Sequence, residues 1–203
     1  MLGVAPATGV AELMLGEVAP AQAVVEARER LFVLAGGSAL AGVKRLIARQ
    51  DYGGEHMVAK AMTFFEGQYD YVILDTAPSW DTINVATLFY ATEVLIPVSL
   101  EAMALQGLVQ FIQRLNDIQS YRPELTLRAI LPTFLDRRVK QSEEIHAQLK
   151  MHYGTLLYPP IRYNVRLSEA PIYKQTIYEY APQSSGAEDY QRVAERIIQD
   201  GKA

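Results

Sequence analysis

Asp75 is the residue of this chain most clearly placed for chemistry. It ends the apolar, β-favouring run Tyr71-Val72-Ile73-Leu74 and precedes Thr76-Ala77-Pro78-Ser79, where a proline breaks the pattern. A buried parallel strand delivers a carboxylate to the mouth of an α/β sheet in this way, and nucleotides and Mg²⁺ bind at such an edge. A hard cation takes oxygen ligands, in a nucleotide site one or two carboxylates plus phosphates. An Asp in this setting also suits a helix N-cap, and the run alone leaves both readings open.

Two further runs follow. One is Asn164-Val165-Arg166-Leu167-Ser168-Glu169-Ala170-Pro171, the other Tyr180-Ala181-Pro182-Gln183-Ser184-Ser185-Gly186-Ala187. With the Asp75 run they resemble the ParA/Soj family of partitioning ATPases, deviant P-loop proteins that move plasmids and chromosomes. In that family a strand ending in Asp-x-x-Pro-Ser is the Walker B element. Asn-Val-Arg-Leu-Ser-Glu-Ala-Pro and Tyr-Asp-Pro-x-Ser-x-Gly-Ala runs follow at about this distance. The resemblance extends from about Gly9 to Ile198, and the eight-residue run is its most specific part.

The resemblance implies an α/β fold of P-loop NTPase type, a mostly parallel sheet with helices on both faces. It implies ATP and Mg²⁺ as the family's cofactors, a homodimer, nonspecific DNA and a ParB-like centromere-binding partner. In the family ATP binding drives dimerisation, the dimer binds DNA, and the partner stimulates hydrolysis. The location implied is cytoplasmic and nucleoid-associated. The family opens with a strand, a Lys-Gly-Gly-x-x-Lys-[Thr/Ser] loop, a helix and a second strand ending in Asp-x-Asp-Pro-Gln. The 203 residues hold no counterpart of these. The expectation is therefore a single ParA-like domain over 1–203, N-terminally incomplete, with no stable nucleotide binding or ATP turnover of its own. The alternative is a non-catalytic DNA- or partner-binding module built on the same fold.

Particular residues take roles from the resemblance. Asp75 would hold Mg²⁺ through water, and Pro78 and Ser79 would form the loop that senses the γ-phosphate. Thr133, Phe134 and Asp136, after an apolar strand, would lie near the adenine. Tyr163 stands where the family carries an arginine; an aromatic there can stack on a base. Arg162, Arg166 and Lys174 are candidates for contacts to the DNA phosphate backbone, which need cations along a face rather than base-reading geometry. Arg166 could equally pair with Glu169 across one helical turn.

A second glycine motif needs separating from these. Gly37-Ser38-Ala39-Leu40-Ala41-Gly42-Val43-Lys44 follows a strand pattern, but Val43 stands before Lys44 and Arg45 replaces the hydroxyl residue. A phosphate loop needs the lysine to reach the β/γ-phosphates and the hydroxyl to hold Mg²⁺. This stretch is not read as one.

Composition narrows the classes. Half the residues are hydrophobic and 21% charged, which marks a globular chain. With no cysteine there is no disulfide or thiolate chemistry. The net charge of −4 argues against a dedicated strongly basic nucleic-acid binder. The 137–174 segment is nonetheless basic, with Arg137, Arg138, Lys140, Lys150, Arg162, Arg166 and Lys174 against Glu143, Glu144 and Glu169. That excess fits a DNA-facing surface or a solvated helix face. No uncharged apolar run approaches the roughly 20 residues that span a bilayer. His56, His146 and His152 have no metal-ligand spacing.

The elements that must position these residues alternate between strand and helix patterns, the mark of a parallel sheet. Strands are predicted at Leu31–Ala35, Tyr71–Leu74, Glu93–Val98, Leu127–Thr133 and Leu156–Ile161. Helices are predicted near Gly9–Leu15, Pro20–Ala27, Leu40–Arg49, Glu55–Glu66, Thr82–Tyr90, Leu105–Gln119, Ser142–Tyr153 and Gly186–Gln199. Leu105, Leu108, Val109, Ile112, Leu115 and Ile118 recur at helical spacing and mark a buried stripe. Pro159-Pro160 confines the last strand to an edge or a short piece.

Overall fold

Pro20 opens a helix that the β-branched pair Val24-Val25 closes after one turn, α2 (Pro20–Ala23). This is seen in the computed structural model, which describes residues 2–201. The predicted helix over Pro20–Ala27 is thus mostly strand: β1 (Val24–Arg28) pairs antiparallel with β2 (Leu31–Leu34). Only Glu29 and Arg30 join them, and Arg30 takes φ 59°. Two residues can close a hairpin, whereas a parallel pair needs a long crossover. The described residues divide into two compact units, 3–92 and 93–201, the second including Leu2.

The first unit contains this hairpin with α1 (Val10–Met14), α3 (Leu40–Ala48), α4 (Met57–Met62) and α5 (Thr82–Tyr90). Short 3₁₀ turns flank α4 on both sides. Val43 and Ile47, one helical turn apart, bury one face of α3 against Ala11, Val58, Met62, Phe65 and Ala86. The strand predicted at Tyr71–Leu74 does not form: the segment has no ladder partner among the described residues, and Ile73 is 90% exposed. A strand is held by hydrogen bonds from its neighbours. The strands of this unit, β1 and β2, pair with each other instead.

The second unit carries the parallel pairing. β3 (Glu93–Ser99) runs parallel to β4 (Thr126–Thr133), joined by α6 (Ala102–Tyr121). In β4, Ala129 and Leu131 face a cluster with Tyr158, Ile161 and Val193. Ile130 and Pro132 point the other way and are equally buried, so both faces are covered. The predicted strand at Leu156–Ile161 reduces to single parallel bridges, Ile130 to Leu157 and Leu135 to Arg162. Pro159 and Pro160 remove two backbone donors there. α7 (Lys140–Tyr153), α8 (Val165–Glu169), α9 (Ile177–Tyr180) and α10 (Ser185–Asp200) complete the unit. α8 and α9 are short and were not predicted. Leu108, Leu115 and Ile118 of α6 are buried as the stripe requires, but Val109 is half exposed. No described helix is long and apolar enough to cross a membrane.

Candidate functional site

In the first unit, Asp75 and Pro78 are exposed, and the turn after them is fixed by Asn84. The Asn84 side-chain amide donates to the Ala77 carbonyl at 2.9 Å, the Ser79 carbonyl at 2.6 Å and the Ser79 hydroxyl at 2.9 Å. The Ser79 hydroxyl donates to Asp81 at 3.1 Å. Asp81, not Asp75, is the N-cap of α5, accepting the Asn84 N–H at 3.1 Å. Lys44 Nζ reaches the other Asp81 oxygen at 2.5 Å. That bond, with those from Asn84 and Ser79, holds the Asp81 carboxyl below the usual carboxylate range. Asp75 takes none of these bonds. Its carboxylate is open to solvent at the start of a turn whose later residues are pinned.

The glycine turn after β2 is filled from within the chain. Glu12 is buried on α1 and accepts the N–H groups of Gly9 at 2.9 Å, Ser38 at 2.9 Å and Ala39 at 3.2 Å, and the Ser38 hydroxyl at 2.9 Å. Its own backbone N–H, then the Ser38 hydroxyl and the Ala39 and Gly9 amides, outweigh burial and lower its pKa to about 2. Gly37, at φ 86°, allows this approach, since a Cβ there would lie 2.1 Å from Glu12 Oε2. The N–H groups that could cradle a phosphate at the head of α3 therefore hold a carboxylate. The described residues do not build a triphosphate cradle at this turn.

In the second unit, Thr133 ends β4 beside β3, while Asp136 and Tyr163 follow the Leu135–Arg162 bridge. The Thr133 carbonyl accepts the Leu100 N–H at 3.2 Å. Leu135 N–H donates to the Ile161 carbonyl at 3.0 Å, and Tyr163 N–H to the Leu135 carbonyl at 2.9 Å. Asp136 is grasped by Arg138 through both oxygens, at 2.9 and 2.7 Å. The Arg138 side chain, then its backbone N–H, lower the Asp136 pKa to about 2. The Phe134 and Tyr163 rings lie 6.4 Å apart, tilted by 43°.

The three basic candidates differ in their surroundings. Arg162 is drawn inward: its Nη2 reaches Asp189 at 2.7 Å and Glu188 at 2.6 Å, and its backbone N–H donates to Asp189 at 2.9 Å. Asp189, then Glu188, raise its pKa further above the ordinary arginine value. Arg166 forms the ion pair with Glu169 at 2.9 Å and lies over the Tyr180 ring at 5.9 Å, yet remains 58% exposed. Lys174 is exposed at φ 58°, where it ends a 3₁₀ turn.

The two specific runs meet in this unit. Asn164 caps α8 by accepting the Arg166 N–H at 2.8 Å and donates to the Ser185 hydroxyl at 2.8 Å. A Cβ on Gly186 would lie 2.8 Å from Leu167 Cγ, so glycine is what lets α10 approach α8. Three residues of the candidate sites escape the motif reading: Glu12, Asn84 and Asp189. Two had a signal. Asp189 stands four and eight residues before the apolar Val193 and Ile197, on their helix face, and Glu12 stands three residues after Gly9, the capping-box position.

The AAA domain family model matches residues 6–127. The chain is 33% identical over 199 residues to the chromosome-partitioning ATPase Soj of Thermus thermophilus, covering 97% of this chain and 77% of that protein. It is 32% identical over 149 residues to the sporulation initiation inhibitor protein Soj of Bacillus subtilis, covering 72% of this chain and 59% of the other. Among solved structures it is similar to cobyrinic acid a,c-diamide synthase from Mycobacterium smegmatis with bound ADP and magnesium. That match has a TM-score of 0.81 at 28% identity, covering 100% of this chain and 77% of the other.

Proposed function

The chain belongs to the ParA/Soj family of partitioning ATPases, and on that premise we propose that it serves DNA segregation as a ParA-type partitioning protein. The observation that carries this reading is the junction of the two family runs. Asn164 bonds Ser185, Leu167 lies against Gly186, and Arg166 is presented at the surface beside them. Arg166 and Lys174 then contact nonspecific DNA, while Arg162 serves as an internal tie to α10. A ParB-like centromere-binding protein and a second copy of the chain are the partners in this proposal. Its place is the cytoplasm, on the nucleoid.

ATP and Mg²⁺ are the cofactors proposed for the family's cycle, and Mg²⁺-ATP supplies the phosphoryl group that is transferred to water. Asp75 would face the metal through water, Pro78 and Ser79 would follow the phosphates, and Thr133, Asp136 and Tyr163 would flank the base. The glycine turn that Glu12 fills is not a phosphate loop, and no turnover step is assigned to this chain. Phosphoryl transfer depends on positioning and clamping the phosphates, which one carboxylate does not achieve. The second reading is a non-catalytic DNA- or partner-binding module built on the same fold. The test is an ATPase assay on the purified chain with DNA present. We expect no turnover above background. Turnover that Asp75→Ala abolishes would overturn the non-catalytic account and leave the partitioning reading standing.

A further inference from the structure

The Ser79 hydroxyl has one proton to give, and it gives it to Asp81 Oδ2 at 3.1 Å. On its acceptor side it takes the Asn84 amide at 2.9 Å. A hydroxyl in this state has no proton left for an anionic ligand. The turn after Asp75 is therefore closed, and its opening depends on what holds Asp81.

Lys44 holds it from outside the turn. Its Nζ donates to the same Asp81 oxygen at 2.5 Å, and its carbonyl accepts the Thr82 hydroxyl at 3.2 Å. One residue of α3 thus grips the head of α5 with both backbone and side chain. Val43 beside it and Ala86 of α5 are buried in one core, so the backbones at this joint are fixed and the ammonium is the part that can move. The other Asp81 oxygen accepts the Asn84 N–H at 3.1 Å. The Lys44 and Asn84 bonds together set the plane of the carboxylate and keep Oδ2 at Ser79. The two ties on the turn differ in exposure. Asn84 is buried, whereas the Lys44 and Asp81 side chains are 38% and 29% exposed. A lysine ion pair at such a site is a point charge on a flexible stem, strong enough to bias the turn and weak enough to open.

We infer that Lys44 is a positioning residue for the Asp75 turn, a latch that acts through Asp81 to keep the Ser79 hydroxyl from any ligand. Opening the Lys44–Asp81 pair is then the step that frees the hydroxyl. This rests on the preceding reading only in giving Ser79 a ligand to reach; the closed turn itself requires neither nucleotide nor turnover.

The test is amide–water exchange measured by NMR on the full chain without nucleotide. Two amides report separately. Ser79 N–H, bonded to the Ala77 carbonyl at 2.8 Å, reads the turn, and Asn84 N–H reads the cap of α5. Lys44→Met keeps the apolar stem and the backbone bond to Thr82 and removes the charge. It should speed Ser79 exchange about 2- to 5-fold, the worth of a part-exposed ion pair. Lys44→Arg, which keeps the charge, should stay near the parent rate; a rate as fast as that of Lys44→Met would remove the ion pair from the account. Unchanged or slower Ser79 exchange in Lys44→Met overturns the inference. So does a change confined to Asn84, which would make Lys44 a brace for α5 alone. In Ser79→Ala the hydroxyl link to Asp81 is gone, so adding Lys44→Met should move the amide of residue 79 less than it does in the parent. An equal change would show that Lys44 does not act through that hydroxyl and would sink the latch. If Lys44→Met does not fold, Lys44→Gln is read in its place against the same outcomes. Because no nucleotide is present, failure of the partitioning reading in the ATPase assay leaves each of these outcomes intact.

Discussion

The Glu12 carboxylate accepts both the N–H and the hydroxyl of Ser38, each at 2.9 Å, from a position 26 residues earlier in the chain. One acidic side chain thereby satisfies the Ser38 and Ala39 amides just ahead of α3 and the N-cap amide of α1 together. Orphan N–H groups at a helix start attract anions in general. Here the anion is part of the protein, and it joins two helices that belong to one core.

The sign of the pH dependence follows from the lowered Glu12 pKa. The group falls from 4.5 to about 2 on folding, so its stabilisation is complete above the unfolded value and is lost as pH falls from 4.5 towards about 2. Asp136, lowered from 3.8 to about 2 by Arg138, adds to the same window. Denaturant melts across pH 5 to 2 should show the midpoint falling with acid. Glu12→Gln should start from a lower midpoint at neutral pH and fall less steeply, with the Asp136 part remaining. Parallel curves for parent and variant would remove Glu12 from the account.

Asn84 makes a second checkable claim. It is 9% exposed and its amide ties the Ala77 and Ser79 carbonyls to the head of α5. Asn84→Ala should cost about 1 kcal/mol, the net worth of a typical intramolecular hydrogen bond, because Ala77 and Ser79 are exposed and water can take up the freed groups. The urea midpoint should fall without a change in slope, and the amides after Asp75 should exchange faster. A loss that leaves that exchange unchanged would mean Asn84 stabilises α5 alone and does not pin the turn.

The parallel pair β3–β4 and its connecting helix were legible because their apolar runs are long and bury both faces. β2 was legible as the strand Leu31–Ala35, but its partner β1 was not, because Pro20, Ala21 and Ala23 favour helix locally while Val24 and Val25 decide for strand. Tyr71–Leu74 has strand composition, but composition does not supply a neighbour. In the sites, the runs around Asp75, Asn164 and Ser185 could be read from spacing. The partners of Arg162 could not, since Asp189 lies 27 residues away and only the fold brings them together. The Arg166–Glu169 pair is local, and helical spacing alone made it available.

That local pair bears on DNA binding. Glu169 accepts from both Arg166 and the Tyr180 hydroxyl, so part of the arginine's charge is answered within the protein. Arg166→Ala should weaken binding to DNA of any sequence, lowering the magnitude of the salt slope by ~0.9 if one phosphate contact is lost. Glu169→Gln should strengthen binding a few-fold at low salt, by freeing the same guanidinium. Fluorescence anisotropy with unrelated duplexes over a salt series reads both. Binding that ignores salt, or strongly prefers one duplex, would contradict a phosphate-backbone contact.

Ile73 carries the last prediction. It is 90% exposed in a segment without regular secondary structure or ladder partners among the described residues, with Tyr71 at 55% and Val72 at 42%. An apolar strand with open N–H and C=O groups is a template for pairing with another chain. A surface substitution away from packing changes stability by no more than about 0.5 kcal/mol. Ile73→Lys should therefore leave the urea midpoint in place while raising solubility and slowing concentration-dependent aggregation. Light scattering on heating and a denaturant melt at low concentration separate the two effects. If the substitution instead lowers the midpoint by several times that limit, Ile73 is packed in solution. The segment would then be a paired strand, and Asp75 would stand at a sheet edge after all.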